Sequence, residues 1–255
     1  MPGDQPKKNY KRLLSVTLSA LCLINLLAPM MGPSSQPVNA QAQGALNLNQ
    51  CSANQSFEAT MFAVTTDNRL LNFNPGSPGI INSTFNITGL GGGENIVGID
   101  FRPANGQLYA LSSASRIYII NPSSGAATPV GSGALSTAVN GANFGFDFNP
   151  TSDRIRTTSN AEQTLRLVPG TAAVAGIDGP LAYAATDPNA GQDPNIVASA
   201  YTNNFAGSTV TTLYGIDSAR DILVTQGTAA GVTPVVGPNT GQLFTVGPLG
   251  VDAGD

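Results

Sequence analysis

The sequence predicts an all-β protein with a β-propeller-like fold of about four repeats, each a four-stranded antiparallel meander. The first observation is an internal repeat: residues 98–103 (GIDFRP) and 145–150 (GFDFNP) share four of six residues and start 47 positions apart. The second is a series of short runs rich in Val, Ile, Thr and aromatic residues, separated by Asn, Gly and Pro, which is typical of strands joined by tight turns. Four-stranded units of about 40–50 residues, arranged radially, form propeller blades.

The best-defined unit covers residues 94–142 and contains four predicted strands. These strands occupy residues 96–101, 107–111, 116–120 and 127–130. The same order recurs in residues 143–195, while residues 57–93 and 196–255 form the first and last units. A β-sandwich does not explain why the same order and spacing of strands recur through three units. An open β-solenoid usually has a shorter repeat, so both folds are weaker alternatives.

A weaker copy of the repeated motif, residues 250–252 (GVD), lies near the end of the sequence. The first unit lacks a leading strand of this type. The strand at residues 250–252 could fill that position beside residues 57–64 and so close a ring of four sheets. An incomplete propeller of five or more blades is the alternative. Closure matters because an open end exposes backbone edges and an apolar face.

Residues 1–42 have the composition of a secretory signal peptide. A lysine-rich start precedes an apolar stretch over residues 13–27, and an Ala-Gln-Ala sequence ends at Ala42. Residues 43–56 form a flexible lead-in, and residues 57–255 form a single repeat domain. A membrane anchor is the alternative, although the apolar stretch is short for a span of about 20 residues. We therefore expect a secreted, periplasmic or cell-surface protein without membrane insertion after cleavage.

The composition excludes several kinds of chemistry. The chain has no histidine, so it has no Ser-His or Cys-His nucleophile and lacks the commonest zinc ligand. Only Cys51 follows residue 42, so the mature chain cannot form an internal disulfide. Beyond residue 42, seven arginines stand against fourteen acidic residues. Such a surface repels nucleic acid and anionic membranes, so neither is an expected partner.

One cluster of charged residues is the best candidate for a binding site. It comprises Asp153, Arg154, Arg156 and Arg166. Arg154 and Arg156 alternate onto one face of their strand, and Arg166 is expected on the neighbouring strand. Three guanidinium groups together suit a carboxylate, a sulfate or a sugar acid. The alternative is a solvated ladder of ion pairs with Asp153 and Glu162.

Two further sets of oxygen-bearing side chains are weaker candidates. A loop offers four possible calcium ligands, namely Asp187, Asn189, Asp193 and Asn195, although their spacing matches no EF-hand loop. Calcium is the only cofactor that the sequence suggests. Asp100, Asp147 and Asp252 recur at one phase of the repeat. We expect each to accept hydrogen bonds from turn amides at the end of its strand; a ring of carboxylates around a central channel is the alternative.

Several motifs also resemble those of a known family. They are residues 146–150 (FDFNP), 153–156 (DRIR), 164–167 (TLRL), 200–204 (AYTNN) and 212–217 (TLYGID). Together they resemble the bacterial "domain of unknown function 4394" family over roughly residues 57–254. The resemblance implies a secreted protein with propeller-like repeats and no established activity. Family members usually continue with about one more repeat and a closing strand, so the resemblance also implies a chain truncated after Asp255, in place of the four-sheet ring.

The sequence supports three hypotheses about function. The first is a non-catalytic secreted or periplasmic propeller whose loops bind an unknown extracellular ligand or protein. The second is a hydrolase or lyase that uses carboxylates, which for glycoside chemistry needs a pair about 5–10 Å apart. The third is a structural protein of the cell surface or matrix. We favour the first because catalytic side chains are scarce, and fold analogy cannot decide among the three.

Overall fold

The computed structural model describes residues 13–16 and 60–254 and shows four antiparallel sheets arranged as a four-bladed β-propeller. Sheet 1 contains β1 (Leu13–Val16), β2 (Met61–Thr65), β3 (Arg69–Phe73) and β4 (Ile81–Asn86). Sheet 2 contains β5 (Ile96–Phe101), β6 (Leu108–Ser112), β7 (Ile117–Ile120) and β8 (Ala127–Val130). The all-β propeller predicted from the repeat is therefore confirmed.

The last two sheets contain the second half of the chain. Sheet 3 contains β9 (Phe144–Asn149), β10 (Arg154–Ser159), β11 (Thr164–Leu167) and β12 (Val174–Ile177). Sheet 4 contains β13 (Ala182–Tyr183), β14 (Ile196–Tyr201), β15 (Leu213–Asp217), β16 (Ile222–Gln226) and β17 (Gln242–Pro248). A short 3-10 helix, Pro238–Thr240, precedes β17. Sheet 4 departs from the predicted meander because β13 joins its edge as a parallel neighbour of β17.

The glycines of the repeated motif allow the inner strands of neighbouring sheets to approach each other. A Cβ atom added at Gly98 in β5 would lie 2.5 Å from the Cβ of Phe146 in β9. At Gly145 in β9 it would lie 2.3 Å from the hydroxyl oxygen of Ser199 and 2.6 Å from its backbone nitrogen in β14. Real side-chain atoms do not pack this closely, so only glycine fits at these two positions.

The aspartates of the same motif hydrogen-bond the next sheet. Asp100 Oδ2 accepts from the amide of Phe148 at 2.9 Å, and Asp147 Oδ1 accepts from the amide of Tyr201 at 3.0 Å. Asp100 Oδ1 also accepts from the amide of Phe101. Both residues are hydrogen-bond acceptors, but the donors across the junctions are strand amides of the next sheet and not the expected turn amides. The motif thus links β5 to β9 and β9 to β14.

Residues 250–252 do not behave like the other copies of the motif. Gly250 has a φ angle of 76° and no atom near its absent Cβ, and Asp252 is exposed. The side chain of Asp252 accepts only a local bond from the amide of Gly254, at 3.0 Å. The expectation that Asp252 caps a strand of the repeat is therefore wrong, because this segment follows β17 and joins no sheet.

The structure also corrects the predicted pairing at the first sheet. The position beside Met61–Thr65 is occupied by Leu13–Val16, which pairs antiparallel with it, and not by residues 250–252. Residues 13–16 lie within the segment assigned to the signal peptide; the rest of that segment, the lead-in 43–56 and Cys51 lie outside the described residues. Within the described part of the chain, no helix is long and apolar enough to cross a membrane.

Apolar layers join the first three sheets. Sheets 1 and 2 pack through a cluster that includes Leu70 and Ile99, and sheets 2 and 3 pack through one that includes Leu111, Phe148 and Ile155. The rings of Tyr109 and Phe148 meet edge to face with centroids 5.1 Å apart. Burial of these surfaces contributes about 25 cal/mol per Å² and drives the sheets together. The junction of sheets 3 and 4 differs because it contains a buried arginine, Arg156.

Candidate anion-binding cavity

A cavity of about 380 Å³ lies at the junction of sheets 3 and 4. Its lining comes from β10, β11, the β9–β10 turn, the end of β14 and the segment before β17. The lining residues are Asn149, Ser152, Arg154, Ile155, Arg156, Arg166, Tyr201, Pro238 and Asn239. The volume falls in the range of about 300–1,000 Å³ that is usual for small-molecule sites. All three arginines of the predicted anion site are thus present in one cavity.

Strand geometry explains why these arginines meet. Side chains alternate along a strand, so Arg154 and Arg156 share one face of β10 while Ile155 enters the apolar layer on the other. In the β10–β11 register, Arg156 lies directly opposite Arg166. Two guanidinium groups in this position repel each other unless an anion lies between them. That anion is supplied by Asp178, which follows β12.

Arg156 is the centre of a buried hydrogen-bond network. Its side chain is 2% exposed. It donates to the hydroxyl of Tyr201 at 2.8 Å, to Thr164 Oγ1 at 2.9 Å, and to Asp178 Oδ2 and Asn239 Oδ1 at 2.6 Å each. A buried charge is tolerated only when it is paired and hydrogen-bonded, and here both conditions are met. Arg156 therefore organises the cavity wall and has little donor capacity left for a ligand.

Arg166 is held differently and keeps free donors. Its Nε atom donates to both carboxylate oxygens of Asp178, at 2.9 and 3.0 Å, and its side chain is 33% exposed. The guanidinium lies over Gly176, where an added Cβ would be 2.3 Å from one terminal nitrogen. Among the described residues, none accepts a hydrogen bond from the two terminal nitrogens of Arg166. These nitrogens are available to a ligand.

Arg154 carries the charge that is least compensated. Its NH1 atom donates to the backbone carbonyls of Ser152 and Asp153, at 3.4 and 3.0 Å, and no described carboxylate pairs with it. No carboxylate of residues 60–254 lines the cavity. Three arginines and the adjoining Asp178 leave a net positive charge in a chain whose formal net charge is −4. This local reversal of sign attracts small anions.

Asp153, the fourth predicted site residue, lies outside this network. It forms a two-pronged ion pair with Arg102 of sheet 2, in which the Nε–Oδ1 distance is 2.8 Å. Hydrogen bonding by Arg102 is the largest effect that lowers the pKa of Asp153, which remains ionised. The predicted alternative, a solvated ladder pairing the arginines with Asp153 and Glu162, is wrong because the buried partner of Arg156 and Arg166 is Asp178.

The calcium candidates are engaged in separate contacts. Asp187 accepts hydrogen bonds from the amide and hydroxyl of Thr245, at 2.6 and 2.9 Å, and Asn189 donates to the same hydroxyl. Asn195 donates to Ser218 Oγ at 2.7 Å. Over the described ranges, no group of three or more acidic or cysteine side chains could hold a metal ion. Calcium binding by this loop stays a prediction to which these contacts add no support.

Asp100 and Asp147 form a second electrostatic feature, and Asp147 adjoins the cavity because it lies opposite Arg156 and accepts from the amide of Tyr201. They are 1% and 3% exposed. Burial raises the pKa of Asp100 to about 7. Burial, and then the neighbouring charge of Asp100, raises the pKa of Asp147 well above its ordinary value. Both carboxylates are buried, accept hydrogen bonds from strand amides and are absent from the cavity lining, so they link sheets and do not line an open carboxylate ring.

Three residues that build the cavity were not among those predicted from the sequence: Asp178, Tyr201 and Asn239. Asn239 is 83 residues from Arg156, and Tyr201 is 45 residues from it. Their separation along the chain left no local pattern that could reveal them. The only available signal was Asp178, a carboxylate in the unit that contains the three arginines.

Comparison with known proteins identifies the family of this chain. Residues 69–255 match the sequence profile of a family described as "Domain of unknown function (DUF4394)". No curated protein matches the sequence. Among solved structures, the chain is similar to "Crystal structure of Myxococcus xanthus Glutaminyl Cyclase", at 16% identity and a TM-score of 0.42. The similarity covers 63% of this chain and 65% of the other, so this chain spans less than two-thirds of that structure.

Proposed function

The chain belongs to the DUF4394 family, whose function is unknown, and we propose that it is an exported, non-catalytic scaffold that binds a small anionic ligand. The observation that carries the proposal is the presence of Arg154, Arg156 and Arg166 in the lining of one cavity. Charge-assisted hydrogen bonds from guanidinium groups are about twice as strong as neutral ones. The ligand site is the cavity between sheets 3 and 4.

The three arginines have different roles in this proposal. Arg154 and Arg166 contact the anion because their guanidinium groups keep unpaired donors. Arg156 positions the site, because its donors are already used by Thr164, Tyr201, Asp178 and Asn239. Charge focused in a partly enclosed site acts more strongly than the same charge on an open surface.

Isothermal titration calorimetry with sulfate and with acetate at low ionic strength tests binding. We expect Arg154→Ala and Arg166→Ala each to weaken binding by about tenfold or more, the loss of roughly one charge-assisted hydrogen bond. The matched control is Arg69→Ala, which removes the same charge from an exposed arginine paired with Asp67 in sheet 1. Equal affinities in all four proteins, or no binding of either anion, would contradict the proposal.

Export is proposed on the basis of the composition of residues 1–42. Expression of the full chain in a bacterial host, followed by cell fractionation and intact-mass measurement, tests it. We expect the exported protein to have lost about 42 residues, as the Ala-Gln-Ala site implies, so that sheet 1 of the mature protein keeps β2, β3 and β4 without β1. Retention of the uncleaved chain in the cytoplasmic fraction would contradict this part of the proposal.

A further inference from the structure

We infer that the cavity selects the carboxylate of an organic acid with an apolar body and discriminates against hydroxyl-rich acids such as sugar acids. The inference rests on the proposed anion-binding function and names the ligand class for that cavity. The inference is based on the hydrogen bonds of the lining side chains. Several of their donors are free, whereas most of their acceptor oxygens already accept a bond.

The free donors belong to four side chains. Arg154 uses only NH1, and Arg166 uses only Nε, in contacts with described residues. Asn239 uses its oxygen to accept from Arg156, which leaves its amide NH₂ unengaged among the described residues. The hydroxyl of Tyr201 accepts from Arg156, and no described group accepts its proton. Burial is the largest effect that raises the pKa of Tyr201, so this hydroxyl keeps its proton.

The acceptors around the cavity are already engaged. Asn149 Oδ1 accepts from the amide and hydroxyl of Thr151, at 2.9 and 2.7 Å. Asn239 Oδ1 and both oxygens of Asp178 accept from arginines. The carbonyl of Pro238 accepts from Gln226 at 2.7 Å. Among the lining side chains, only the hydroxyl of Ser152 is left as an unengaged acceptor.

This asymmetry determines which ligand binds well. A carboxylate contains only acceptors, and it satisfies the free donors of Arg154, Arg166, Tyr201 and Asn239. A sugar acid brings several hydroxyl protons that lose their water partners on entry, and Ser152 is the one lining side chain whose oxygen accepts no bond from a described residue. Each unsatisfied buried hydroxyl costs about 1–3 kcal/mol. Pro238 supplies apolar lining for the rest of the ligand, whereas the side chain of Ile155 packs on the other face of β10.

Calorimetry with two ligands of equal charge and similar ring size tests the inference. Cyclohexanecarboxylate and glucuronate both carry one carboxylate on a six-membered ring, but only glucuronate carries hydroxyl groups. We expect cyclohexanecarboxylate to bind the full-length protein about tenfold or more tightly than glucuronate, as even one unsatisfied hydroxyl would cause. Equal or tighter binding of glucuronate would overturn the inference while leaving the proposed function intact.

Binding of neither ring acid, together with no binding of sulfate or acetate, would instead overturn the proposed function. Binding of sulfate or acetate with neither ring acid would overturn only the inferred ligand class.

A single substitution tests the role of the free donors directly. Asn239→Asp keeps an oxygen for Arg156 but replaces the free amide donor with an acceptor, so we expect affinity for cyclohexanecarboxylate to fall by about tenfold or more. The control, Asn105→Asp, makes the same charge change in the exposed β5–β6 turn of sheet 2. Equal affinities of the two variants for cyclohexanecarboxylate would overturn the inference. Circular dichroism and thermal melting establish that both variants are folded before titration.

Discussion

The backbone amide of Phe148 donates a 2.9 Å hydrogen bond to the buried carboxylate of Asp100, across the junction of sheets 2 and 3. One repeat later, the amide of Tyr201 donates to Asp147 across the next junction. The repeats that contain Asp100 and Asp147 therefore each carry an acceptor for the backbone of the repeat that follows. This relationship links the repeated sequence to the arrangement of the sheets, because the same residue type at the same position of the motif forms both connections.

Removal of the Asp100 carboxylate should destabilise the protein. In Asp100→Ala, the buried amides of Phe101 and Phe148 lose their side-chain acceptor, and each unsatisfied group costs about 1–3 kcal/mol. Urea unfolding monitored by circular dichroism measures the change in the free energy of unfolding. The control Asp252→Ala alters the exposed copy of the motif and should stay within about 0.5 kcal/mol of the wild type. Equal stability of the two variants would contradict the role assigned to Asp100.

The free energy of unfolding should decrease as the pH rises through about 7. The folded state raises the pKa of Asp100 to about 7 from an ordinary value of 3.8, and that of Asp147 rises in the same direction. A raised carboxyl pKa contributes stability that is complete below the unfolded-state pKa and is lost as the pH rises through the folded-state pKa.

Urea unfolding at intervals from pH 5 to 9 measures this slope, and Asp100→Asn, which cannot ionise, should reduce it. Asp153 affects stability in a separate, acidic pH range, because Arg102 lowers its pKa. Its contribution to the free energy of unfolding is present above the unfolded-state pKa and is lost as the pH falls through the lowered folded-state pKa. Parallel profiles for the wild type and Asp100→Asn would show that Asp100 does not titrate as described.

Two neighbouring arginines of β10 should respond very differently to truncation. Arg156→Ala leaves Asp178, Tyr201 and Asn239 without the buried charge that joins them, and loss of one partner of a buried ion pair costs about 3–5 kcal/mol. Arg154→Ala removes only contacts to local carbonyls and should cost about 1 kcal/mol or less. Thermal and urea unfolding of the two variants distinguish a structural arginine from a ligand-binding one.

A similar loss of stability in both variants would contradict this division. So would an Arg156→Ala protein as stable as the wild type, because the network around Arg156 would then be dispensable.

Gly176→Ala should weaken anion binding without contacting the anion. The added methyl group would lie 2.3 Å from a terminal nitrogen of Arg166, so the guanidinium must move away from its place beside Asp178. Because a long side chain yields easily, we expect a stability loss of about 1 kcal/mol or less and a reduction in acetate affinity of about threefold or more.

Calorimetric titration with acetate measures this effect, and Gly170→Ala is the control, since nothing lies within 4 Å of the Cβ position of Gly170. Unchanged affinity in Gly176→Ala would show that the position of Arg166 does not affect binding.

The fold was predictable to a large extent because the information is local and repeated. The strand 96–101 follows from its β-branched and aromatic residues, and the turn after it follows from an Asn-Gly pair, in which Gly106 adopts a φ angle of 69°. The strand that pairs with β2 in sheet 1 could not be predicted from the repeat. The motif at residues 250–252 resembles a leading strand, but this resemblance does not determine which strand pairs with β2. Pairing between strands that are distant in sequence depends on the packing of the whole domain.

The candidate site was predictable only in part, again for a physical reason. Strand alternation places Arg154 and Arg156 on one face, and that much follows from positions two residues apart. Which groups neutralise them depends on the register of β10 with β11 and on the segments after β12 and before β17. Hence the partner of Arg156 is Asp178 rather than the acidic residue that precedes Arg154.

The β-strand repeat, its recurring glycines and aspartates, and the clustering of three arginines in one repeat can be read from the sequence. These features depend on contacts between adjacent residues or between copies of one motif. The folded chain establishes which arginine is buried, which arginines keep free donors, and that a cavity lies between sheets 3 and 4. Such properties depend on side chains brought together from up to 83 positions apart, a proximity that only the folded chain creates.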